Sequence, residues 1–308
     1  MSSAAGLVCV VGALNEDTTL MVNTLPAPGE TSLTEGGRLT SPGGKGANQA
    51  AAAAVFGARV MMIGAVGSDE PGERSLAALR DLHVDLAAVA RRAGNGTGIA
   101  VITVDADGEN TIVVDAGANA SLTAEEASAA VRAARPAVLL VQLEVPLDVV
   151  KATARAAAGA VVVLNPAPMP ADPRPVRDLL PHVDVLVPNR SELGRLAGRP
   201  EPTDLSEVTA CVAALDHAGS VVVTLGAGGA LCCEKGATPV AVPGIPTTTR
   251  DASGAGDVFC GCLAQQLAGG AGLLEAVRRA NALAAASTAH FGARVRADLA
   301  EVAGLLSP

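Results

Sequence analysis

Aromatic side chains are almost missing from this chain. There are three phenylalanines (Phe56, Phe259 and Phe291), no tyrosine and no tryptophan among 308 residues. A groove for single-stranded nucleic acid needs rings on which bases stack and a positive surface. This chain has neither, since acidic residues outnumber basic ones by 31 to 22 and the formal charge is −9. The same balance makes a poor counterion-releasing partner for duplex DNA, so nucleic acid is excluded. Any sugar or base bound here must be held by polar side chains and backbone.

Long apolar runs are also missing: nothing approaches the ~20 residues of a membrane span. The opening MSSAAGLVCVVGAL lacks a basic leader segment, and its VCVVG reads as a buried strand. A membrane partner is excluded on that reading. The six cysteines (Cys9, Cys211, Cys232, Cys233, Cys260 and Cys262) form no C-x-x-C and lie in apolar segments. They read as reduced core thiols, so the expected compartment is the cytoplasm. Two nucleotide signatures are missing as well. No stretch satisfies G-x-G-x-x-G, because 226–231 ends in Leu231 and 254–259 in Phe259. A nicotinamide-dependent oxidoreductase therefore loses its main support. Nor is there a P-loop, since Lys45 is followed by Gly46 rather than Ser or Thr.

What is present is an alternation of β-branched runs with alanine-rich ones. Strands are predicted at 7–12, 59–64, 137–142, 160–164, 184–187 and 220–224, and helices at 46–57, 71–81, 123–134, 146–157, 205–217, 257–268 and 272–290. Continuous apolar strands separated by helices imply a three-layer, doubly wound, mainly parallel sheet. Segments 15–40 and 97–115 break the pattern with period-two alternation, and DADGEN reads as a hairpin turn between strands. They predict a small antiparallel β lid on a single domain spanning 1–308.

Chemistry concentrates in a few places. Asp251-Ala-Ser-Gly-Ala-Gly-Asp257 opens a helix, where uncovered N–H groups and the helix dipole favour an anion. Asp257 falls in the first turn, the position of either a general base or a plain helix cap. Gly43-Gly44-Lys45-Gly46-Ala47-Asn48 opens another helix, with Lys45 and Asn48 one turn apart; it is either a ligand loop or a glycine turn. Polar residues follow four strands: Asn15 and Asp17, Glu144, Asn189 with Glu192, and Thr224 with Gly226 and Gly229. Ligands of α/β folds gather at such strand ends.

These segments together resemble the ribokinase family of sugar kinases, within the wider PfkB group. The resemblance runs from about 7 to 293 and rests on GGKGANQA (43–50), DGENTIVVDAGANASL (107–122), QLEVPL (142–147), LNPAP (164–168), PNRSE (188–192), TLGAGG (224–229) and DASGAGD (251–257). It implies transfer of the ATP γ-phosphate to the 5-hydroxyl of D-ribose with Mg²⁺. Asn15, Asp17, Gly43, Gly44, Lys45, Asn48, Glu144 and Asp257 would hold the sugar. Asp257 would be the base, and the backbone of Gly254, Ala255, Gly256 and Asp257 the anion hole. Asn189, Thr224, Gly226, Gly229, Ser253, Gly256 and Asn281 would meet the nucleotide, with Asn189 and Glu192 organising Mg²⁺ through water. A homodimer clasped through the lid is implied too. Asp251 and Ser253 match the front of a potassium site, but Arg296 stands where the family has serine. Either potassium still binds or the Arg296 guanidinium supplies that charge. Another sugar or a nucleoside as acceptor, and a non-catalytic sugar-binding protein, are the rival readings. The lack of aromatics favours a small sugar.

Overall fold

The computed structural model describes residues 6–296 and 298–300. The domain expected over 1–308 thus extends into residues 1–5, 297 and 301–308, which lie outside the described residues. The chain runs β1 (Leu7–Val11), β2 (Asn15–Met21), β3 (Arg38–Gly43), α1 (Lys45–Val55), β4 (Arg59–Gly67), α2 (Glu70–Arg80), β5 (Asp85–Arg92), β6 (Gly98–Val104) and β7 (Asn110–Asp115). It continues with α3 (Ala124–Ala134), β8 (Val138–Val141), α4 (Leu147–Ala156), β9 (Val161–Leu164), α5 (Arg174–Arg177), β10 (Val185–Leu186), α6 (Arg190–Ala197) and α7 (Leu205–Ala214). Last come β11 (Ser220–Thr224), β12 (Gly229–Cys233), β13 (Val240–Pro243), α8 (Ala255–Ala268) and α9 (Leu273–Ser287). Each predicted strand and helix forms, its ends within three residues of expectation. The periodicity did not reveal β5, β12, β13, α5 or α6: β5, β12 and β13 lie at the ends of the sheet, and α5 and α6 are short.

The nine-stranded sheet has the order β13-β12-β11-β10-β9-β8-β1-β4-β5, parallel from β11 to β5 with an antiparallel β12–β13 edge. Side-chain alternation splits its core into two layers. Val8, Val10, Val138 and Leu140 pack with α1, α8 and α9 on one face. Cys9, Val11, Leu139 and Val141 pack with residues of α3, α4, α6 and α7 on the other. A strand buried on both faces has no polar position to spare, which is why these runs read as continuously apolar.

The small sheet has the order β3-β2-β6-β7. Its outer pairings are antiparallel and its middle one, Asn15–Met21 beside Gly98–Val104, is parallel. The DADGEN turn forms as expected, with the Asp105 carboxylate accepting from the N–H groups of Asp107 and Glu109. Arg74 on α2 pairs with Glu16 on β2, tying the small sheet to the body. All six cysteines are free. Among the described residues no helix is long and apolar enough to cross a membrane.

Candidate active site

The alanine and glycine content of two helices places the central carboxylate. Ala47, Ala50, Ala51, Ala52 and Ala53 of α1 are fully buried, and Gly261 of α8 lies directly against them. A Cβ at Gly261 would stand 2.6 Å from the Gln49 carbonyl oxygen, so only glycine permits this approach. The two helix starts are thereby brought side by side. Asp257, 6% exposed in the first turn of α8, accepts hydrogen bonds from Gln49 Nε2 at 2.9 Å and Asn48 Nδ2 at 3.3 Å. Gln49 is held in turn by Gln142 Nε2 at 2.5 Å and donates to Asn165 Oδ1 at 3.1 Å. Both oxygens of Asp257 are thus aimed.

Around Asp257 lies a cleft of about 130 Å³ at the carboxyl ends of the parallel strands. Lys45, Asn189, Glu192, Thr224, Gly254, Gly256 and Asp257 line it together, so sequence positions from four segments converge. Glu144, following β8, accepts the Lys45 backbone N–H at 2.8 Å. Burial pushes its carboxyl up to about 7, against the pull of Lys45, with Asp257 and Asp17 adding to the rise. Asp17 is pushed up to about 6 by burial, which Asp257 reinforces and Arg294 and Lys45 oppose. Burial alone would lower the Lys45 ammonium, but Asp257, Glu144 and Glu192 outweigh it and hold it protonated. The cluster is a desolvated set of alternating charges, the environment in which perturbed groups serve binding or proton transfer.

Several glycines shape this cluster without needing a ligand. A Cβ at Gly43 would lie 2.1 Å from the Asp17 carboxylate, so Gly43 makes room for that side chain. Gly44 precedes α1 with φ +87. Asn15, buried, accepts from Asn119 Nδ2 at 2.8 Å, and Asn119 also grips both backbone groups of Leu14. Asn119, from the AGAN stretch, is therefore a brace for the root of β2.

Across the cleft, Asn189 and Glu192 form a reciprocal capping box at the start of α6, each binding the other's backbone N–H at 2.8 Å. The Thr224 N–H donates to Pro188 O, joining β11 to that turn. Gly226 is in the left-handed region at φ +60 and open to solvent. Gly229 and Asn281 both serve the edge strand: a Cβ at Gly229 would strike Val242 O, and Asn281 Nδ2 donates to Pro243 O at 2.9 Å. Gly254 caps α8 at φ +72, and a Cβ there would lie 1.9 Å from Ala293 O. Ala255 turns its N–H toward Ala252 O at 3.3 Å, whereas Gly254, Gly256 and Asp257 face the cleft.

One expectation is corrected. The Arg296 guanidinium does not supply charge beside Asp251; it is exposed and forks onto Asp298 at 2.9–3.2 Å. Asp251 instead accepts the N–H groups of Ser253 and Gly292, each at 2.8 Å. The arginine that does turn inward is Arg294, which the sequence reading passed over. Its Nε lies 3.5 Å from Asn48 Oδ1, and burial lowers its pKa to about 10, with Asp17 opposing. Gln49, Asn165 and Gln142 were missed too, although they sit inside the GGKGANQA, LNPAP and QLEVPL runs.

Comparison with known proteins shows the family and the fold. The pfkB family carbohydrate kinase profile matches residues 5–298. The ribokinase of Haemophilus influenzae is 35% identical over 293 residues, covering 92% of this chain and 93% of its own length. The deoxyribokinase of Salmonella typhi is 32% identical over 294 residues, covering 92% and 93%. The solved structure of Arabidopsis thaliana ribokinase complexed with ribose and ATP superposes with a TM-score of 0.86 at 31% identity, covering 99% of this chain and 100% of that one. The profile match over nearly the whole length, with relatives above 30% identical over more than nine-tenths of the chain, places this chain in the pfkB family of carbohydrate kinases.

Proposed function

We propose that this chain transfers the γ-phosphate of ATP to the 5-hydroxyl of D-ribose. The observation that carries the reading is Asp257, whose buried carboxylate lies where the sugar-side cluster meets the nucleotide-side cleft. The likeness to ribokinases, one of them solved with ribose and ATP, supports the choice of substrates.

In this reading Asn15, Asp17, Lys45, Asn48 and Glu144 read the sugar hydroxyls, with no ring beneath the sugar. Asp257 accepts the proton of the attacking hydroxyl as its oxygen bonds to phosphorus and the bond to the ADP oxygen breaks. The backbone of Gly254, Gly256 and Asp257 takes up phosphoryl charge at the start of α8, where the helix dipole favours it. Lys45 adds a fixed positive charge in a partly desolvated site, where such charge counts for more than in solvent. Thr224 and Gly226 sit where the nucleotide passes over the end of β11.

Magnesium fits the donors present. Among the described residues no group of three or more His, Cys, Asp or Glu side chains forms a metal cage. Mg²⁺ bound by few carboxylates plus phosphate oxygens and waters needs none. Glu192, which lines the cleft, and Asn189 would hold it through water. When bound it neutralises phosphate charge. The potassium reading also regains ground, because Arg296 is engaged elsewhere. A cavity of about 10 Å³, roughly one water in size, shares Ser253 and Gly292 with the Asp251 turn, but Arg294 and Arg296 line it as well, so it is not itself the cation site.

The small sheet, formed by segments 15–40 and 97–115, acts as a lid and as a dimer surface. It carries Met21, Leu39, Ile99, Val101, Ile112, Val113 and Val114, seven of the twelve large apolar side chains exposed on the described chain. That concentration fits a second copy packed lid to lid. The unpaired cysteines fit the reducing cytoplasm. The test of the reaction is a panel of ribose, 2-deoxyribose, fructose, tagatose and nucleosides with ATP, read by ADP release. Ribose should give the highest kcat/KM, and a tenfold preference for a nucleoside would overturn the assignment.

A further inference from the structure

Arg294 is the one buried charge near the sugar cluster that the reaction described above does not use. Its segment is pinned just before it: the Gly292 N–H binds Asp251, and Ala293 O packs directly on Gly254. The side chain is therefore committed inward, ahead of the helix that carries Asp257. Only its Nε has a partner, the long 3.5 Å contact to Asn48 Oδ1. Both terminal nitrogens, Nη1 and Nη2, are shut off from solvent and make no hydrogen bond. A planar guanidinium with two idle buried donors is costly to keep, and a folded chain normally satisfies such groups.

The groups facing it indicate what satisfies them. Asp17 on β2 is its electrostatic counterpart, yet the two form no ion pair within 4 Å. Asn48 links Arg294 to Asp257. We propose that Arg294 is a substrate-contacting, specificity-determining residue: its two Nη groups donate to hydroxyl oxygens of the bound sugar, while Asp17 accepts from those same hydroxyls. A hydroxyl both donates and accepts, so it fits between a guanidinium and a carboxylate where neither an ion nor a methylene does. The acceptor class is a neutral polyol with adjacent hydroxyls; a sugar acid would bring its charge against Asp17, Glu144 and Asp257. This deepens the ribose kinase reading and rests on it.

Arg294→Met and Arg294→Lys test the assignment beside wild type. KM and kcat are measured for ribose, 2-deoxyribose, arabinose and xylose, with ribonate as competitor, and melting temperature is measured with and without ribose. Losing hydrogen bonds from a charged donor should raise the KM for ribose ~10- to 100-fold in Arg294→Met. The preference for ribose over at least one analogue should shrink tenfold or more, because the analogue never made that contact. Arg294→Lys should recover part of the difference. The ligand-free melting temperature of Arg294→Met should hold or rise, since an unsatisfied buried charge is removed, while the ribose-induced shift should fall. An equal loss of kcat on every sugar with KM unchanged would make Arg294 only a positioning residue behind Asn48. A lowered ligand-free melting temperature with the ribose shift intact would make it structural. Either result, or ribonate outcompeting ribose, overturns the proposal. Wild type failing to phosphorylate any sugar would instead overturn the kinase reading.

Discussion

Asp257→Asn separates binding from chemistry. The two side chains are nearly isosteric, so the α8 turn and the cleft should persist. The carboxylate now accepts from Gln49 Nε2 at 2.9 Å and Asn48 Nδ2 at 3.3 Å. An asparagine can keep its oxygen toward Gln49, but its amide then meets the Asn48 amide, donor against donor. Asn48 cannot turn over freely, because its oxygen faces Arg294 Nε. The fold should thus lose about one charge-assisted hydrogen bond, ~1–3 kcal/mol, a drop of several degrees in melting temperature. Catalysis should suffer more. An amide cannot take the hydroxyl proton, so kcat should fall by ~10² to 10⁴, or about 3–5 kcal/mol of transition-state stabilisation. Ribose affinity by calorimetry should stay within threefold, since Asp17, Lys45 and Glu144 remain. Removing the charge also relieves Asp17 and Glu144, whose pKa values Asp257 helps to raise, so both should titrate at lower pH in the variant. The assay is steady-state ADP release beside calorimetry on the same preparation. A folded variant keeping more than a tenth of wild-type kcat would refute Asp257 as the base. Parallel loss of ribose affinity and kcat would place it in binding instead.

Three further outcomes follow from the same geometry. Glu144 and Asp17 hold their protons to about pH 7 and 6 in the folded state, above their unfolded values, so ionising them costs stability. The ligand-free protein should therefore lose stability as pH rises from about 4 to 7 and level off above, by ~3 kcal/mol per group at most; Glu144→Gln should flatten that slope in thermal melts, and an unchanged slope would remove Glu144 as its cause. Because Asp298 holds the Arg296 guanidinium, Arg296→Ala should leave kcat/KM within twofold, and potassium should activate several-fold over caesium at fixed ionic strength. Potassium-independent wild type combined with an inactive Arg296→Ala would restore Arg296 as the local charge. Val113→Lys, on the most exposed lid strand, should convert a dimer to a monomer in size exclusion with light scattering, and a monomeric wild type would reject the lid clasp.

Much of this architecture is written locally. Continuous apolar runs such as VCVV and VLLV determine strands buried on both faces, whatever lies elsewhere in the chain. The glycine-rich runs at 43–46 and 254–256 mark helix starts, but the fold decided which donors stay open, since Glu144 takes the Lys45 N–H and Ala252 O the Ala255 N–H. Polar residues after four of the strands point to one end of the sheet as the place for ligands, because parallel strands all end on one side. The missing aromatics determine polar recognition, and the structure now names its braces, Asn119, Gln49 and Asn165.

Which way individual side chains turn was decided only by tertiary packing. Arg294 and Arg296 are two residues apart in an irregular segment with no period to read. The Asp251–Gly292 bond and the contact of Ala293 with Gly254 pin that segment so that Arg294 turns inward, while Asp298 draws Arg296 to the surface. Gly43, expected from the sequence only as part of a ligand loop, also leaves room for Asp17 across a strand pair. Gly261 carried no signal, yet without it α1 and α8 could not close and Asp257 would lose both amides that aim it. Backbone pattern is a local property that sequence carries. Close approach between distant segments is a property of the folded volume, and the chemistry of this site depends on that approach.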